Sequence, residues 1–375
     1  MDEMTTAQVR EAGPADDAAL CELFARITMD SELKLAVERS PSFFALYELQ
    51  ELLCQRVFVA EVEGKLEGVA TLLGREGWLA GERVRLGYLG DLRLSERLRG
   101  GFFLGAQLGR HFQAAMQELG AEVALTAIIE SNAPAVRFLT RSTRRFPDKP
   151  VYTPWRAFQI LNLHLTRKRR PRRGPCEVRR AGTDDLPAIA ALLAADHRAR
   201  PFGYVLDEQV LCKRLSRWPG LRLEDFFCAW RGAELVGVVA VWDAHAVKRF
   251  RVEDYGGSMR WVRPAFNLGA LLFRYPKLPP VGEVIRYAYL THQSVLGDDP
   301  AVFAALLDRV YDELRGTGLN FVTACVLEDD PLAPAFARYT TTPIPARLYL
   351  VSAPGSRFVG YAPPPGRPGF EMALV

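Results

Sequence analysis

The order of apolar and polar positions repeats along the chain, and each copy predicts the same series of elements. Apolar residues at helical spacing over residues 18–27 return over residues 186–195, each time after a short strand and an Asp-containing turn that suits a helix N-terminus. A strand, a Gly-containing turn and a second strand at residues 58–70 return at residues 227–239. The second strand of each hairpin is mostly apolar, which predicts that both of its faces are buried in a sheet.

The later parts of the two copies also correspond. Tyr88-Leu89 returns as Tyr289-Leu290, so the second copy carries an insert at about residues 247–280. Each copy therefore predicts strand, helix, hairpin, strand, helix, strand, helix, strand. This order indicates an α+β fold with α/β/α layers and two tandem domains, each a mixed, mostly antiparallel central sheet flanked by helices.

Changes in composition predict where these domains begin and end. Residues 167–175, rich in Arg and Pro, predict a basic linker between a first domain at residues 1–166 and a second at residues 176–352. The prolines of residues 353–375 cannot continue a helix or a central strand, so this stretch predicts an extended C-terminal tail.

Charge and composition exclude several classes of function. The net charge of +4 depends on six Lys and Arg within residues 167–173, so we expect a solvated linker and do not expect a nucleic-acid partner. The six cysteines and five histidines are scattered without a Cys-x-x-Cys pair, so we expect no metal. No spanning segment and no signal-peptide pattern is present in the sequence, which predicts a cytoplasmic protein without a membrane partner. The sequence does not predict the oligomeric state.

A strand between residues 85 and 94 is predicted to run into a turn rich in Gly and Arg and then into a helix. Glycines let backbone N–H groups at a helix start approach a pyrophosphate, and arginines add charge-assisted hydrogen bonds. The candidate phosphate ligands at this turn are Arg99, Gly100, Gly101, Phe102, Phe103, Leu104 and Gly105.

This turn, together with a strand before Asn132 and the order of the elements, resembles the GNAT superfamily of N-acetyltransferases. In that family the fourth strand leads into a phosphate loop of the form Arg/Gln-x-x-Gly-x-Gly/Ala. The resemblance covers most of the chain, twice, and implies acetyl-CoA or another acyl-CoA as cosubstrate, bound between the fourth and fifth strands. The residues it places on the cofactor are Leu92, Arg93 and Leu94 along the pantetheine, Asn132 beside it, and residues 99–105 at the pyrophosphate.

The same resemblance implies a general base on the fourth strand, where many members carry a carboxylate. Asp91 is the candidate, because a partly desolvated carboxylate with a raised pKa can take a proton from the substrate ammonium. Gly90-Asp91 is also a candidate β-bulge. The alternative roles for Asp91 are a structural hydrogen bond or an anchor for the ammonium.

Two positions depart from the family pattern. The loop is one residue longer than usual, which leaves open which amides reach the phosphates. The family's tyrosine acid, seven residues after its Asn, is replaced by Leu139, with Tyr88 and Tyr152 as substitutes for it.

The second copy has lost the loop. Asp298 and Asp299 stand where the first copy has Gly and Arg, and two carboxylates repel a pyrophosphate. We therefore expect no CoA in the second domain, which would instead shape the acceptor pocket, with its insert as a cover. His292 aligns with Asp91, and we expect it to be structural. Two aromatic segments are candidates for an apolar acceptor site, or alternatively for core or interface: residues 43–47 and 261–266.

The sequence thus predicts an N-acyltransferase, most simply an N-acetyltransferase. It would move an acetyl group from acetyl-CoA to a primary amine of a small-molecule or peptide acceptor by direct attack. Two alternatives remain open: another acyl donor, such as a long-chain acyl-CoA or an aminoacyl-tRNA, and a non-catalytic acyl-CoA-binding sensor or scaffold.

Overall fold

The secondary structure follows the repeated pattern of the sequence. A computed structural model describes residues 7–28, 32–98, 102–141, 149–169, 174–273 and 275–375. The strands are β1 (Gln8–Glu11), β2 (Leu33–Arg39), β3 (Leu52–Val62), β4 (Lys65–Leu79), β5 (Glu82–Leu94), β6 (Ala124–Ile129), β7 (Val151–His164), β8 (Glu177–Arg180), β9 (Gly203–Tyr204), β10 (Phe226–Arg231), β11 (Glu234–Trp242), β12 (Lys248–Tyr255), β13 (Tyr287–Val295), β14 (Phe321–Leu327) and β15 (Thr341–Ser352). The helices are α1 (Asp17–Arg26), α2 (Ala45–Glu48), α3 (Phe102–Leu119), α4 (Ala133–Thr140), α5 (Leu186–Ala199), α6 (Glu208–Arg217), α7 (Met259–Phe273) and α8 (Pro300–Leu314).

One sheet runs through both halves of the chain. Its strand order is β1-β3-β4-β5-β6-β15-β7-β14-β13-β11-β10-β8, with β9 attached to β4. Most neighbours are antiparallel, whereas β5 and β6, and likewise β13 and β14, are parallel. The predicted α+β fold with a mixed, mostly antiparallel sheet is confirmed, and the sheets of the two halves are joined edge to edge.

The last strands of the two halves are exchanged. Strand β7, from the first half, pairs along its second part with β14 of the second half. Strand β15, from the second half, lies between β6 and β7 and pairs with both. A separate two-stranded sheet, β2 with β12, also joins the halves. Backbone hydrogen bonds between distant parts of the chain therefore hold the halves together.

The turns explain the hairpins that the sequence predicts. Between β3 and β4, Glu63 and Gly64 have φ values of 51° and 76°, the left-handed conformation that a two-residue hairpin turn requires at both central positions. Gly232 has a φ of 62° between β10 and β11. These turns twist in the sense of the flanking strands, so each hairpin closes with its apolar strand inside the sheet.

Helices cover both faces of the sheet. In the first half one core cluster packs α1 on β3 and β4, and a second packs α3 on the opposite face of the same strands. Neighbouring residues divide between the two faces: Val59 belongs to the α1 cluster and Phe58 to the α3 cluster. This arrangement gives the predicted α/β/α layers.

Candidate functional site

A wedge opens in the sheet between β5 and β6. The two strands pair in parallel only at Gly87 with Ala124 and at Tyr88 with Leu125. Strand β5 nevertheless continues to Leu94, and β6 to Ile129. Along these described residues the facing edges carry no further strand pairing, so their peptide groups are open to a ligand that lies between the strands.

A β-bulge in β5 lies at the mouth of this wedge. The pairing with β4 shifts so that Asp91 and Leu92 stand opposite the single residue Ala70. Asp91 has a φ of 50°, which is uncommon for a residue with a side chain. The bulge predicted at Gly90-Asp91 is confirmed. Because an extra residue re-aims the side chains around it, the bulge turns the Asp91 carboxylate into the interior.

A cavity of about 190 Å³ occupies the wedge. Its walls are mostly apolar and come from both halves of the chain, including the C-terminal segment. The polar side chains on its wall are those of Tyr47, Thr71, Tyr88 and Asp91; the apolar ones include Ile129, Phe158, Ile160, Phe370 and Met372. Because the cavity wall is mostly apolar, electrostatic interactions of the Asp91 carboxylate are stronger there than they would be in water.

The carboxylate of Asp91 is buried together with a cation. Arg39 Nη2 donates to Asp91 Oδ1 at 3.1 Å and to Oδ2 at 3.2 Å, and the Tyr47 hydroxyl also donates to Oδ2. Burial raises the pKa of Asp91, but Arg39, Tyr47 and the more distant Arg93 and Lys248 outweigh it, so the pKa lies below its usual value. The expectation of a raised pKa is therefore wrong, although Asp91 does line the cavity. Its role as base stays a prediction.

Lys248, the first residue of β12, lies against the cavity lining at Val375, and sequence reasoning did not single it out. It is buried, and its Nζ donates to a backbone oxygen of Val375, which lines the cavity. Burial and the nearby Arg39 lower the pKa of Lys248 to about 7, against the opposing effect of Asp91. At neutral pH this amine is thus divided between its charged and neutral forms. A single lysine at the start of an insert carries no sequence signal for such a role.

Two tyrosines on the cavity wall keep their protons. Burial raises the pKa of Tyr88, whose hydroxyl accepts a hydrogen bond from the Ala127 backbone N–H. Burial and then the Asp91 charge raise the pKa of Tyr47 still further above its usual value. Tyr152, the other substitute for the missing tyrosine acid, packs in the core cluster beneath α3 and does not belong to the cavity lining.

The predicted phosphate turn lies partly outside the described residues, which omit residues 99–101. Helix α3 begins at Phe102, so Phe102, Phe103, Leu104 and Gly105 form its first turn, where backbone N–H groups have no intrahelical acceptor. Gly105 packs against α4: a Cβ there would lie 2.7 Å from Phe138 Cζ. This glycine therefore lets the two helices approach, whatever else it contacts.

The side chains of the predicted pantetheine ligands turn away from the wedge or lie at its edge. The Arg93 guanidinium is buried, donates to the Phe24 carbonyl at 3.0 Å and also to that of Ile27. Leu94 packs beside Leu98, and Leu92 is 37% exposed at the bulge. The structure brings this segment to the wedge, and the groups it offers a ligand there are mainly backbone.

Asn132 follows the end of β6 and caps α4. Its Oδ1 accepts a hydrogen bond from the Ala135 backbone N–H at 3.2 Å. The structure thus gives the Asn132 side chain a stabilising role at a helix N-terminus. Its place beside the pantetheine stays a prediction.

The second half repeats the bulge with different chemistry. His292 has a φ of 49°, and with Gln293 it stands opposite the single residue Val239. The His292 ring is buried between Trp218 and Phe226, and its Nε2 lies 3.2 Å from Arg214 Nη1. Burial, and then the Arg214 charge, hold the pKa of His292 well below its usual value. A buried, neutral imidazole packed between two aromatic rings fits the structural role that we expect for it.

In the second half, side chains of the protein itself contact the turn that matches the predicted phosphate turn. Asp299 Oδ1 accepts from the backbone N–H of Ala301 at 2.8 Å and caps α8. Arg367 of the tail pairs with Asp298 at 2.7 Å, and Phe370 and Met372 pack beside β14. An anion at this helix N-terminus would have to displace the Asp299 cap; the absence of CoA from the second half stays a prediction.

The two predicted aromatic segments have different places. Of residues 43–47, Tyr47 lines the cavity, whereas Phe43 packs in the core against Phe24. Residues 261–266 belong to α7, where Trp261 is 76% exposed. None of the described residues of the insert lines the cavity, although Lys248, its second residue, contacts Val375 of the cavity wall. Among the described residues, no three His, Cys, Asp or Glu side chains are grouped so that they could hold a metal ion.

No family model and no curated protein matches the sequence, but solved structures match the fold. Saccharomyces cerevisiae N-myristoyltransferase with bound myristoyl-CoA has a TM-score of 0.59 at 9% identity, over 95% of this chain and 85% of that chain. A GCN5-related N-acetyltransferase from Sphaerobacter thermophilus has a TM-score of 0.55 at 14% identity, over 92% of this chain and 95% of that chain. A probable N-acyltransferase from Enterococcus faecalis V583 has a TM-score of 0.50 at 11% identity, over 92% and 72%. The predicted resemblance is confirmed at the level of the fold: the structural neighbours of this chain have the GNAT fold.

Proposed function

We propose that this chain, which has the GNAT fold, is an acyl-CoA-dependent N-acyltransferase whose acceptor is a primary amine. The observation that carries the proposal is the wedge between β5 and β6, where a bulge places the Asp91 carboxylate in the wall of an apolar cavity of about 190 Å³. An open pair of strand edges binds an extended amide-containing arm, and the cavity beyond it shields the reacting thioester from water.

The donor would lie along the wedge. The backbone of Leu92, Arg93 and Leu94 would bind the pantetheine, beside Asn132, and the pyrophosphate would meet Arg99 and the amides of residues 100–105. The cavity, at about 190 Å³, is smaller than the roughly 300–1,000 Å³ of sites for drug-sized ligands, which favours a short acyl group such as acetyl.

The acceptor amine would enter beside Asp91. Since the pKa of Asp91 is lowered, its carboxylate is an anion at neutral pH and attracts the incoming ammonium. The amine must lose a proton before it attacks, and Asp91 or the neutral form of Lys248, with its pKa of about 7, would accept that proton. The low pKa of Asp91 favours anchoring by the carboxylate and proton acceptance by the lysine.

In the chemical step the amine nitrogen bonds to the thioester carbonyl carbon and forms a tetrahedral intermediate. Its collapse breaks the C–S bond and releases CoA as a thiolate. The Tyr88 hydroxyl lies on the cavity wall and keeps its proton over the working pH range, so it is the proposed donor to the thiolate. The attacking nitrogen loses its second proton to water, and water returns a proton to the tyrosine, so the amide and the CoA thiol are both neutral products.

Donor binding is tested by isothermal titration calorimetry with CoA and acetyl-CoA. We expect binding by the wild-type chain and at least about tenfold weaker binding by Arg99→Gln, because one phosphate contact is lost. Arg97→Gln is the matched control: Arg97 is exposed, pairs with Glu63 at 3.3 Å and lies two residues away. If neither CoA nor acetyl-CoA gives heat of binding with the folded wild-type chain, the proposed reaction has no donor and the proposal is overturned.

Turnover is tested with acetyl-CoA and myristoyl-CoA against a panel of primary amines. Transfer from acetyl-CoA supports the proposal, and transfer from myristoyl-CoA alone would replace the short donor by a long one. Binding of CoA without transfer to any amine would favour the sensor, for which the replacement of the family tyrosine by Leu139 is the supporting observation.

A further inference from the structure

Helix α7 presents an apolar stripe to solvent. Trp261, Leu268 and Leu272 are 76%, 61% and 68% exposed, and with Ala265 they recur at the spacing that places them on one side of a helix. Leu271 and Phe273 extend the stripe at its C-terminal end, where they are 66% and 72% exposed. So many large apolar side chains in one exposed patch are rare in a protein that has no partner there.

The opposite side of α7 already packs against the protein. Met259 lies in the cluster of Val252, Tyr255 and Ile285, Ala270 is buried, and the Arg263 guanidinium lies over the Tyr255 ring at 5.0 Å. The exposed stripe is therefore not an inner face that has turned outward. When the packed side and the exposed side of a helix are both apolar, we expect the exposed side to be buried against a second apolar environment.

Hydrogen bonds link the helix to the loop after it. Asn267 exchanges two hydrogen bonds with the backbone of Leu278, at 2.8 and 3.2 Å, and the Tyr275 hydroxyl donates to the Phe266 carbonyl at 3.1 Å. The loop also exposes Val281, at 55%. The stripe is thus held outward by polar contacts behind it.

Charge selects the occupant of this face. Residues 255–282 contain four basic residues, Arg260, Arg263, Arg274 and Lys277, of which Arg263 packs on Tyr255. The nearest acids in sequence, Glu253, Asp254 and Glu283, lie outside this segment. Near the helix N-terminus, the acid Glu32 accepts a hydrogen bond from Ser258. A second copy of the chain would bring the same basic patch against itself, because a two-fold contact uses one surface twice. Acidic headgroups over an apolar layer complement both the charges and the stripe.

We propose that α7 and the loop after it bind the surface of an anionic lipid bilayer, with the Trp261-Leu268-Leu272 stripe in the boundary between headgroups and acyl chains. The sequence-based expectation of no membrane partner considered spanning segments, and no helix in the described part of the chain has the length and apolarity to cross a bilayer. A helix lying in the interface needs neither. This proposal does not depend on the acyltransferase function.

The test is cosedimentation of the full chain with vesicles of phosphatidylcholine alone or of equimolar phosphatidylcholine and phosphatidylserine. We expect binding to the anionic vesicles, weakened by salt, and at least about tenfold loss in Trp261→Ser/Leu268→Ser/Leu272→Ser. Arg260→Gln/Lys277→Gln should bind the anionic vesicles at least about tenfold more weakly than wild type. This second variant keeps the proposal testable if the triple variant does not fold. Leu296→Ser is the matched control, because Leu296 is 50% exposed elsewhere.

Three outcomes would overturn the proposal. One is no binding of the wild-type chain to the anionic vesicles. Another is equal binding by wild type and both multiple variants. The third is a wild-type dimer in sedimentation velocity that the triple variant abolishes, since the stripe would then be an interface between copies.

Discussion

Replacing Asp91 by Asn leaves the Arg39 guanidinium buried without its counter-charge. The Arg39 side chain is only 1% exposed and that of Asp91 13%, so water replaces little of the lost interaction. Arg39 Nε and Nη1 already have no hydrogen-bond partner among the described residues. Breaking a buried ion pair from one side costs about 3–5 kcal/mol, and we expect about 3 kcal/mol here because Asn can still accept from Tyr47.

The double variant Arg39→Met/Asp91→Asn measures how much of that cost is the stranded charge. It removes both charges and keeps the volume of the arginine stem, so we expect it to be about 1–3 kcal/mol more stable than the sum of the single effects predicts. Urea denaturation at neutral pH gives the free energy of unfolding of wild type, Asp91→Asn, Arg39→Met and the double variant. Additive effects, or an Asp91→Asn loss within about 0.5 kcal/mol, would refute the view that this pair is coupled in a buried environment.

The same variants separate structure from chemistry. If Asp91 acts on the acceptor, the stabilised double variant still binds CoA in calorimetry but does not regain turnover. Recovery of turnover would make Asp91 purely structural. Since the folded-state pKa of Asp91 is lowered, its contribution to stability is present at neutral pH and is lost as the pH falls below the ordinary value of 3.8. Wild type and Asp91→Asn should therefore converge in stability in acid.

Three further comparisons of variants test other parts of the molecule. The unfolded chain binds more protons than the folded one between the Lys248 pKa of about 7 and its ordinary 10.5, so wild type should gain stability over Lys248→Met as the pH rises through this window; a constant difference in urea denaturation would contradict the lowered pKa. Gly105→Ala should lose about 1–3 kcal/mol against the phenylalanine ring of α4. The control Gly109→Ala, whose Cβ meets only a proline carbon at 3.4 Å, should gain up to about 1 kcal/mol, and equal thermal melts would refute the contact. Asn132→Ala and Asp299→Ala should each lose about 1 kcal/mol as helix caps, but only Asn132→Ala should weaken acetyl-CoA binding in calorimetry; equal affinities would remove Asn132 from the cofactor site.

Local pattern was sufficient to predict the hairpins, the repeat and the bulge. The turn at Gly64 and the apolar strand after it specify each other through neighbouring residues, and the Gly90-Asp91 pair marks the break in strand pairing. Such features depend on residues that are close in the chain.

The exchange of β7 and β15 between the two halves could not be predicted from local sequence pattern. Both strands end their half of the chain, both carry apolar residues toward the two helical layers, and nothing local decides which neighbour each one pairs with. Strand β2 was missed for a related reason: its pairing partner is β12, in the other half, and cross-strand charges such as Glu38 with Arg251 at 2.6 Å help to set the match.

The position of Asp91 was predictable, but its chemistry was not. Its pKa depends on Arg39, at the end of β2, and on Lys248, at the start of β12, and these residues reach the bulge only because β2 and β12 pair with each other. A sequence pattern on β5 alone gives the carboxylate without its counter-charge, and so gives the wrong direction for the pKa.

A comparison of the two bulges indicates that the cavity depends on both halves of the chain. Asp91 and His292 share a left-handed backbone at matching positions, yet the first lines a cavity and the second is packed solid. The tail packs Phe370 and Met372 beside Leu327 of β14, and the same residues, with Val375, line the cavity of the first half. Because Lys248 also comes from the second half, that half contributes both part of the cavity wall and the buried amine beside it.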